Sequence, residues 1–158
     1  MTNDHLLLKE LMRGDFRTFV EKVFREVSGD EFIDNWHVDA IAWHLQQCAE
    51  GSIRRLVITQ PPRSLKSICA SIALPAWLLG RDPGKAIICV SYSQDLSLEM
   101  ARKFRQVVES DWYQALFPEM RLKKRAENDI QTTCGGCVMT NRRIEPSAHC
   151  CRCQAMAS

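Results

Sequence analysis

The sequence contains no run of about 18 consecutive apolar residues, so no segment reads as a transmembrane helix. Its amino terminus, MTNDHLLLKE, lacks the basic start and long apolar middle of a secretory leader. A cytoplasmic location, with no membrane partner, is the expectation. Without a leader, the eight cysteines do not read as a disulfide framework. Cys48, Cys69 and Cys89 stand in apolar contexts and read as small core residues, while the other five crowd between Cys134 and Cys153. Repeats and low-complexity tracts are missing too, and no domain boundary shows before about residue 140.

At 158 residues, 46% hydrophobic and 25% charged, the chain has the composition of a folding domain with a real core. Its net charge of +2 hides an asymmetry. Residues 1–50 carry 5 basic and 10 acidic side chains, and residues 51–158 carry 16 basic and 9 acidic. The basic part suits phosphates, of a nucleotide or of DNA, or forms a solvated surface. The same two readings apply to Arg121-Leu-Lys-Lys-Arg125 and to Arg142-Arg143, where a solvated loop is the commoner explanation.

Phe16, Phe19, Val20, Val23, Phe24 and Val27 recur at helical spacing up to Ser28-Gly29. Val38, Ile41, Ala42, Leu45 and Cys48 mark a second helix that Gly51 stops. His37 and His44 lie two turns apart on it, and a surface or core-edge role outweighs metal binding there. Arg55-Leu-Val-Ile-Thr59 then predicts a strand, and Gln60-Pro-Pro-Arg-Ser-Leu-Lys-Ser67 a loop. Ile68–Leu79 predicts a helix that Pro75 should kink or stand near the end of, and Gly80-Arg-Asp-Pro-Gly84 a turn. Lys85–Val90 predicts a buried strand and Gln94–Val108 a helix. Asp129–Thr140 predicts a hairpin turning at Gly135-Gly136. The order strand, loop, helix, strand, helix implies an α/β fold with a parallel sheet.

A loop between strand and helix that ends in Lys-Ser is a phosphate-binding arrangement. Lys66 would reach the β- and γ-phosphates, and Ser67 would offer its hydroxyl to Mg²⁺. Arg63 would stabilise charge developing on the γ-phosphoryl group. Pro62, Ser64 and Leu65 complete the cradle. The common pattern has glycine where this chain has Gln60 and Leu65. A Cβ at Leu65 predicts a changed loop geometry. On these residues alone, a plain strand–helix turn with a surface lysine remains an alternative.

Six segments together resemble the large subunit of phage terminase, the DNA-packaging motor. They are Phe32-Ile-Asp-Asn-Trp-His37, Arg55–Ser67, Pro75-Ala-Trp-Leu-Leu-Gly80, Cys89-Val-Ser-Tyr-Ser-Gln-Asp95, Glu109–Pro118 and Thr132-Thr-Cys-Gly-Gly136. Their order and spacing cover about 110 residues. Pro-Pro-Arg-x-x-Lys-Ser is that family's own form of the phosphate loop. The resemblance implies a partial phosphate-loop NTPase sheet with an N-terminal helical lead-in. It divides the chain into a lead-in (1–50), a partial ATPase domain (51–140) and a Cys-rich tail (141–158). It implies ATP and Mg²⁺ as cofactors and adenine contacts near Trp36 and His37. It further implies double-stranded phage DNA, a terminase small subunit, a portal and further copies of the chain as partners, in a bacterial host carrying a phage or prophage.

The family's second motif, four apolar residues followed by acids that support Mg²⁺ and activate water, is absent. Ile87-Ile-Cys-Val90 is followed by Ser91, and the nuclease carboxylate cluster is missing as well. Little or no turnover is the expectation. Residues 141–158 fit neither the family nor a regular element. A frameshift in a decaying prophage gene is one reading of them, and an unfamiliar C-terminus is another. The third is a small zinc- or nucleic-acid-binding module using Cys134, Cys137, His149, Cys150, Cys151 and Cys153.

Overall fold

The structure, a computed structural model, describes residues 3–91, 93–126 and 129–140. Its first three elements are helices: α1 (Asn3–Gly14), α2 (Phe16–Ser28) and α3 (Trp36–Ala49). The Asp15 carboxylate caps α2 by accepting from the Thr18 backbone N–H at 2.8 Å. Gly29, at φ 70°, ends that helix in the left-handed conformation glycine adopts without penalty. Gln46 of α3 holds the α1–α2 corner, accepting from Phe16 N–H and donating to Gly14 O.

Helix α2 turns Phe16, Phe19, Val20 and Val23 inward, where all four are fully buried. They meet Trp77, Tyr113 and Phe117. Phe16 lies 5.3 Å from Trp77, and Phe19 lies 6.3 Å from Tyr113 and 6.1 Å from Phe117, ring centroid to centroid. The polar ends of these rings are satisfied inside the core. Trp77 Nε1 donates to Met12 O at 3.1 Å, and the Tyr113 hydroxyl donates to Ala76 O at 2.7 Å. One continuous apolar core runs from Met12 to Val138, so the helical lead-in and the following region bury each other.

A π-helix (Ile68–Ala73) runs directly into α4 (Leu74–Arg81). Pro75 has no N–H to reach Ser71 O, as an α-helix would require. The preceding turn widens, and Leu74 N–H bonds to Cys69 O, five residues back. The expected kink at Pro75 thus takes the form of a π-turn. Strand β1 (Ala86–Cys89), helix α5 (Gln94–Glu109) and helix α6 (Asp111–Leu116) follow. The described residues end with β2 (Leu122–Ala126), β3 (Asp129–Thr132) and β4 (Cys137–Thr140).

The α/β phosphate-loop sheet expected from the sequence is not the architecture found. Helix predominates among the described residues, beside one small sheet of order β1-β4-β3-β2. Only β1 and β4 run parallel, and β4·β3 and β3·β2 are antiparallel. Arg55–Thr59 joins no ladder. Leu56 and Ile58 pack against the core and Val57 faces solvent, so the stretch has the alternation of a strand without a neighbouring edge. β1 is an edge strand and not a buried one, with Ile88 and Val90 exposed. The basic run at 121–125, expected as a loop, supplies most of β2. The hairpin at Asp129–Thr140 is present, but its connection is the four residues Thr133–Gly136. Gly136 is needed there because a Cβ would run into the Pro83 and Lys85 carbonyls.

Arg17 ties α2 to α3 and the segment before it. It pairs with Asp34, with Asp39 at 2.5 Å and with Glu21 at 3.3 Å, and lies 4.8 Å from the Phe32 ring centre. Burial opposes its charge, but the hydrogen bonds to Asp39 and Asp34 outweigh this and raise its pKa. Burial pushes the Cys69 thiol up to about 12 from 9.0, and raises Cys89 and Tyr113 as well.

Two predictions follow from this packing. Trp77→Ala should cost about 3–5 kcal/mol in a urea unfolding titration, since it leaves a cavity and strips Met12 O of its donor. Stability should fall as pH rises above about 9, because the unfolded chain ionises Cys69 before the fold does. The loss per thiol approaches about 1.4 kcal/mol per pH unit up to about 12. Cys69→Ala should flatten that decline when unfolding is followed from pH 8 to 11.

Candidate functional site

The loop from Gln60 to Ser67 leads straight into helix. Lys66 and Ser67 already have helical backbone, Cys69 N–H bonds to Leu65 O at 2.9 Å, and the π-helix continues the segment. That segment is anchored at its far end by fully buried Ile72, Ala73, Ala76 and Trp77. The loop therefore projects from a fixed base.

Two of its residues hold left-handed backbone, Arg63 at φ 64° and Leu65 at φ 61°. Their neighbours Pro62, Ser64 and Lys66 do not. Left-handed residues set between others of negative φ are the backbone pattern from which anion-binding nests are built. Leu65 thus holds a left-handed backbone where the common pattern has glycine, and Arg63 does so at a position where that pattern asks for none. A left-handed conformation costs an ordinary L-residue about 1–2 kcal/mol. Leu65 offsets part of that by packing against the core. Arg63 is exposed and makes no hydrogen bond or ion pair with a described residue, so nothing local offsets its strain.

Lys66 folds back over the loop. Its Nζ donates to Gln60 O at 2.6 Å and to Pro61 O at 3.3 Å. Beside it, Ser64 is buried, and its hydroxyl has no hydrogen-bond partner among the described residues. An orphaned hydroxyl of this sort ordinarily marks a missing partner. Ser67 is exposed in the first helical turn, with its hydroxyl free for a ligand. A nest-like backbone pattern, an ammonium held on weak neutral acceptors, an unpartnered buried hydroxyl and an open Ser67 fit a phosphate group carrying Mg²⁺. Pro62 forms the rim of the cradle and offers no N–H.

Trp36 and His37 lie at the start of α3, Trp36 exposed and His37 half-buried. Their recorded ring contact is with each other, at 6.3 Å. Neither has a recorded hydrogen bond or ring contact to the loop. A crevice beside the π-helix has Ser71 on one wall, Cys89 of β1 with the following Val90 and Ser91 on a second and α5 on a third. Its described lining carries no carboxylate. Ser93 sits at the cap position of α5, and Tyr92 lies outside the described residues.

Among the described residues, no group of three His, Cys, Asp or Glu side chains is placed to hold a metal ion. Cys134 is exposed on the β3–β4 connection. His149, Cys150, Cys151 and Cys153 lie outside the described residues, as do Arg142 and Arg143. Likewise, no helix among the described residues is long and apolar enough to cross a membrane. Ser64 was expected in the loop's cradle, but its burial was not, because burial of a loop serine has no local signature.

Arg63→Gly should raise stability by roughly 0.5–1 kcal/mol in chemical denaturation, since relief of left-handed strain exceeds the entropy glycine adds to the unfolded chain. A loss of stability on that change would mean that the Arg63 side chain has a structural role. No family profile, curated protein or solved structure matches the chain.

Proposed function

We propose that the chain is the nucleotide-binding N-terminal part of a DNA-packaging motor of the phage terminase large-subunit kind. In this reading it binds ATP·Mg²⁺ through residues 62–67 and turns it over little or not at all. The observation that carries the reading is the Gln60–Ser67 loop, left-handed at Arg63 and Leu65, with the Lys66 ammonium folded back onto the Gln60 and Pro61 carbonyls. The order of the other five segments adds the resemblance described above. The reading rests on these and not on the sheet.

On binding, Lys66 exchanges the Gln60 and Pro61 carbonyls for phosphate oxygens, which form stronger, charge-assisted hydrogen bonds. Loop N–H groups and the positive end of the helical segment hold the same oxygens. Ser67 would offer its hydroxyl to Mg²⁺, which would supply charge neutralisation when bound, and the unpartnered Ser64 hydroxyl would be available to the loop's ligand. Arg63 is free to swing over the terminal phosphoryl group. Adenine contact by Trp36 and His37 belongs to the same reading. Activation of a water requires a carboxylate, and β1 leads into Val90-Ser91 without one. By the same resemblance, an intact motor would engage double-stranded DNA, a small subunit, a portal and further copies of the subunit.

Calorimetric titration of the full chain with ATP and Mg²⁺ should give saturable binding. Lys66→Ala should weaken it about ten- to a hundredfold, the worth of a lost charged hydrogen bond. ATP hydrolysis should stay at background. Failure to bind overturns the nucleotide reading, and hydrolysis that Lys66→Ala abolishes overturns the claim of inactivity.

A further inference from the structure

Helix α3 is apolar on two opposite sides, and the core covers only one of them. Val38, Ile41, Ala42 and Leu45 point inward and are buried. At 3.6 residues per turn, Trp36, Ala40 and Trp43 fall on the reverse side, one above another. Trp36 is 77% exposed and Trp43 59%, and Ile33, just ahead of the helix, is 81% exposed. A helix with a second apolar stripe is ordinarily buried on both sides, and large exposed rings grouped this way mark a contact surface.

The charge around the stripe selects the occupant. No Lys or Arg occurs between Arg25 and Arg54, whereas Asp39 on α3 and Asp30, Glu31 and Asp34 in the segment leading into it are exposed. Arg17 engages Asp34 and Asp39 from behind, yet their side chains stay 75% and 56% exposed. An acidic border repels nucleic-acid phosphates. It attracts cations, and so do the faces of the two indoles. The spacing 36, 40, 43 spans two helical turns, about 10 Å, which matches the anchors of a partner helix.

We propose that the Trp36–Trp43 face of α3 is the docking site for a basic amphipathic helix of a partner protein. The apolar side of that helix covers both indoles, and its Lys or Arg flanks meet Asp30, Glu31, Asp34 and Asp39. The face shares Trp36 with the adenine contact of the proposed function, so binding is tested without nucleotide, and Trp43, which that reading does not use, separates the two.

The test uses the full chain and two synthetic helices of about 18 residues. One carries leucine on one face and lysine elsewhere, and the other has glutamate in place of lysine. The lysine peptide should bind saturably, one per chain, with a change in tryptophan fluorescence, and the glutamate peptide should not bind. Trp36→Ser/Trp43→Ser should weaken binding at least about tenfold with far-UV circular dichroism and Tm unchanged. Trp36→Ser alone serves if the double variant misfolds. Absence of binding, equal binding of both peptides, or a double variant that binds as well as the parent overturns the proposal. So does a dimer in light scattering that the double variant dissociates, since a second copy would then occupy the face.

Discussion

Burial of the Phe16–Phe19 side of α2 against Trp77, Tyr113 and Phe117 is the contact on which the rest of the structure depends. It joins the acidic lead-in to the following region in one core. It also fixes the axis of the π-helix and α4, because Trp77 is wedged between Phe16 and the Met12 carbonyl. Aromatic rings deliver this much because each removes a large apolar area from water and still places a polar atom on a partner. Tyr113 does the same at Ala76 O. The four-stranded sheet is secondary to this packing: Ile130 and Val138 are buried, while β1 keeps an exposed edge.

The loop inherits its position from that core. The helical segment that starts at Lys66 is pinned two turns later by Ile72 and Ala73, so the loop's strain is not relieved by drift of its base. Left-handed backbone at two non-glycine residues in one short loop is uncommon. It persists where the surroundings over-determine it. Leu65 shows how: its side chain reaches the core, and its carbonyl receives the Cys69 N–H. Arg63 has no such support among the described residues, so its conformation is the clearest stored cost in the site.

Helical periodicity was readable from the residues. The stripes in α2, α3 and α5 are long, and the elements follow them closely. Pro75 signalled a disturbance, though not that it would take the form of a π-turn. Strands were harder. Arg55–Thr59 has strand composition and strand alternation but no partner edge, and a ladder is a property of two segments. Leu122–Ala126 was hidden by its charges, which an outer strand tolerates and uses against edge pairing. At the candidate site, the place of Lys66 and Ser67 at a loop–helix junction was legible, and the left-handed backbone at Leu65 stands where a glycine was missed. The burial of Ser64 and the outward stripe of α3 were not read. The first depends on distant packing, and the second was masked by the stronger inward stripe of the same helix.

If the strained loop is a phosphate cradle, backbone amide spectra recorded as ATP and Mg²⁺ are added should show their largest shifts, with slowed hydrogen exchange, at Arg63, Ser64, Leu65, Lys66 and Ser67. Shifts centred elsewhere, or none at saturating nucleotide, would mean that the loop binds no phosphate.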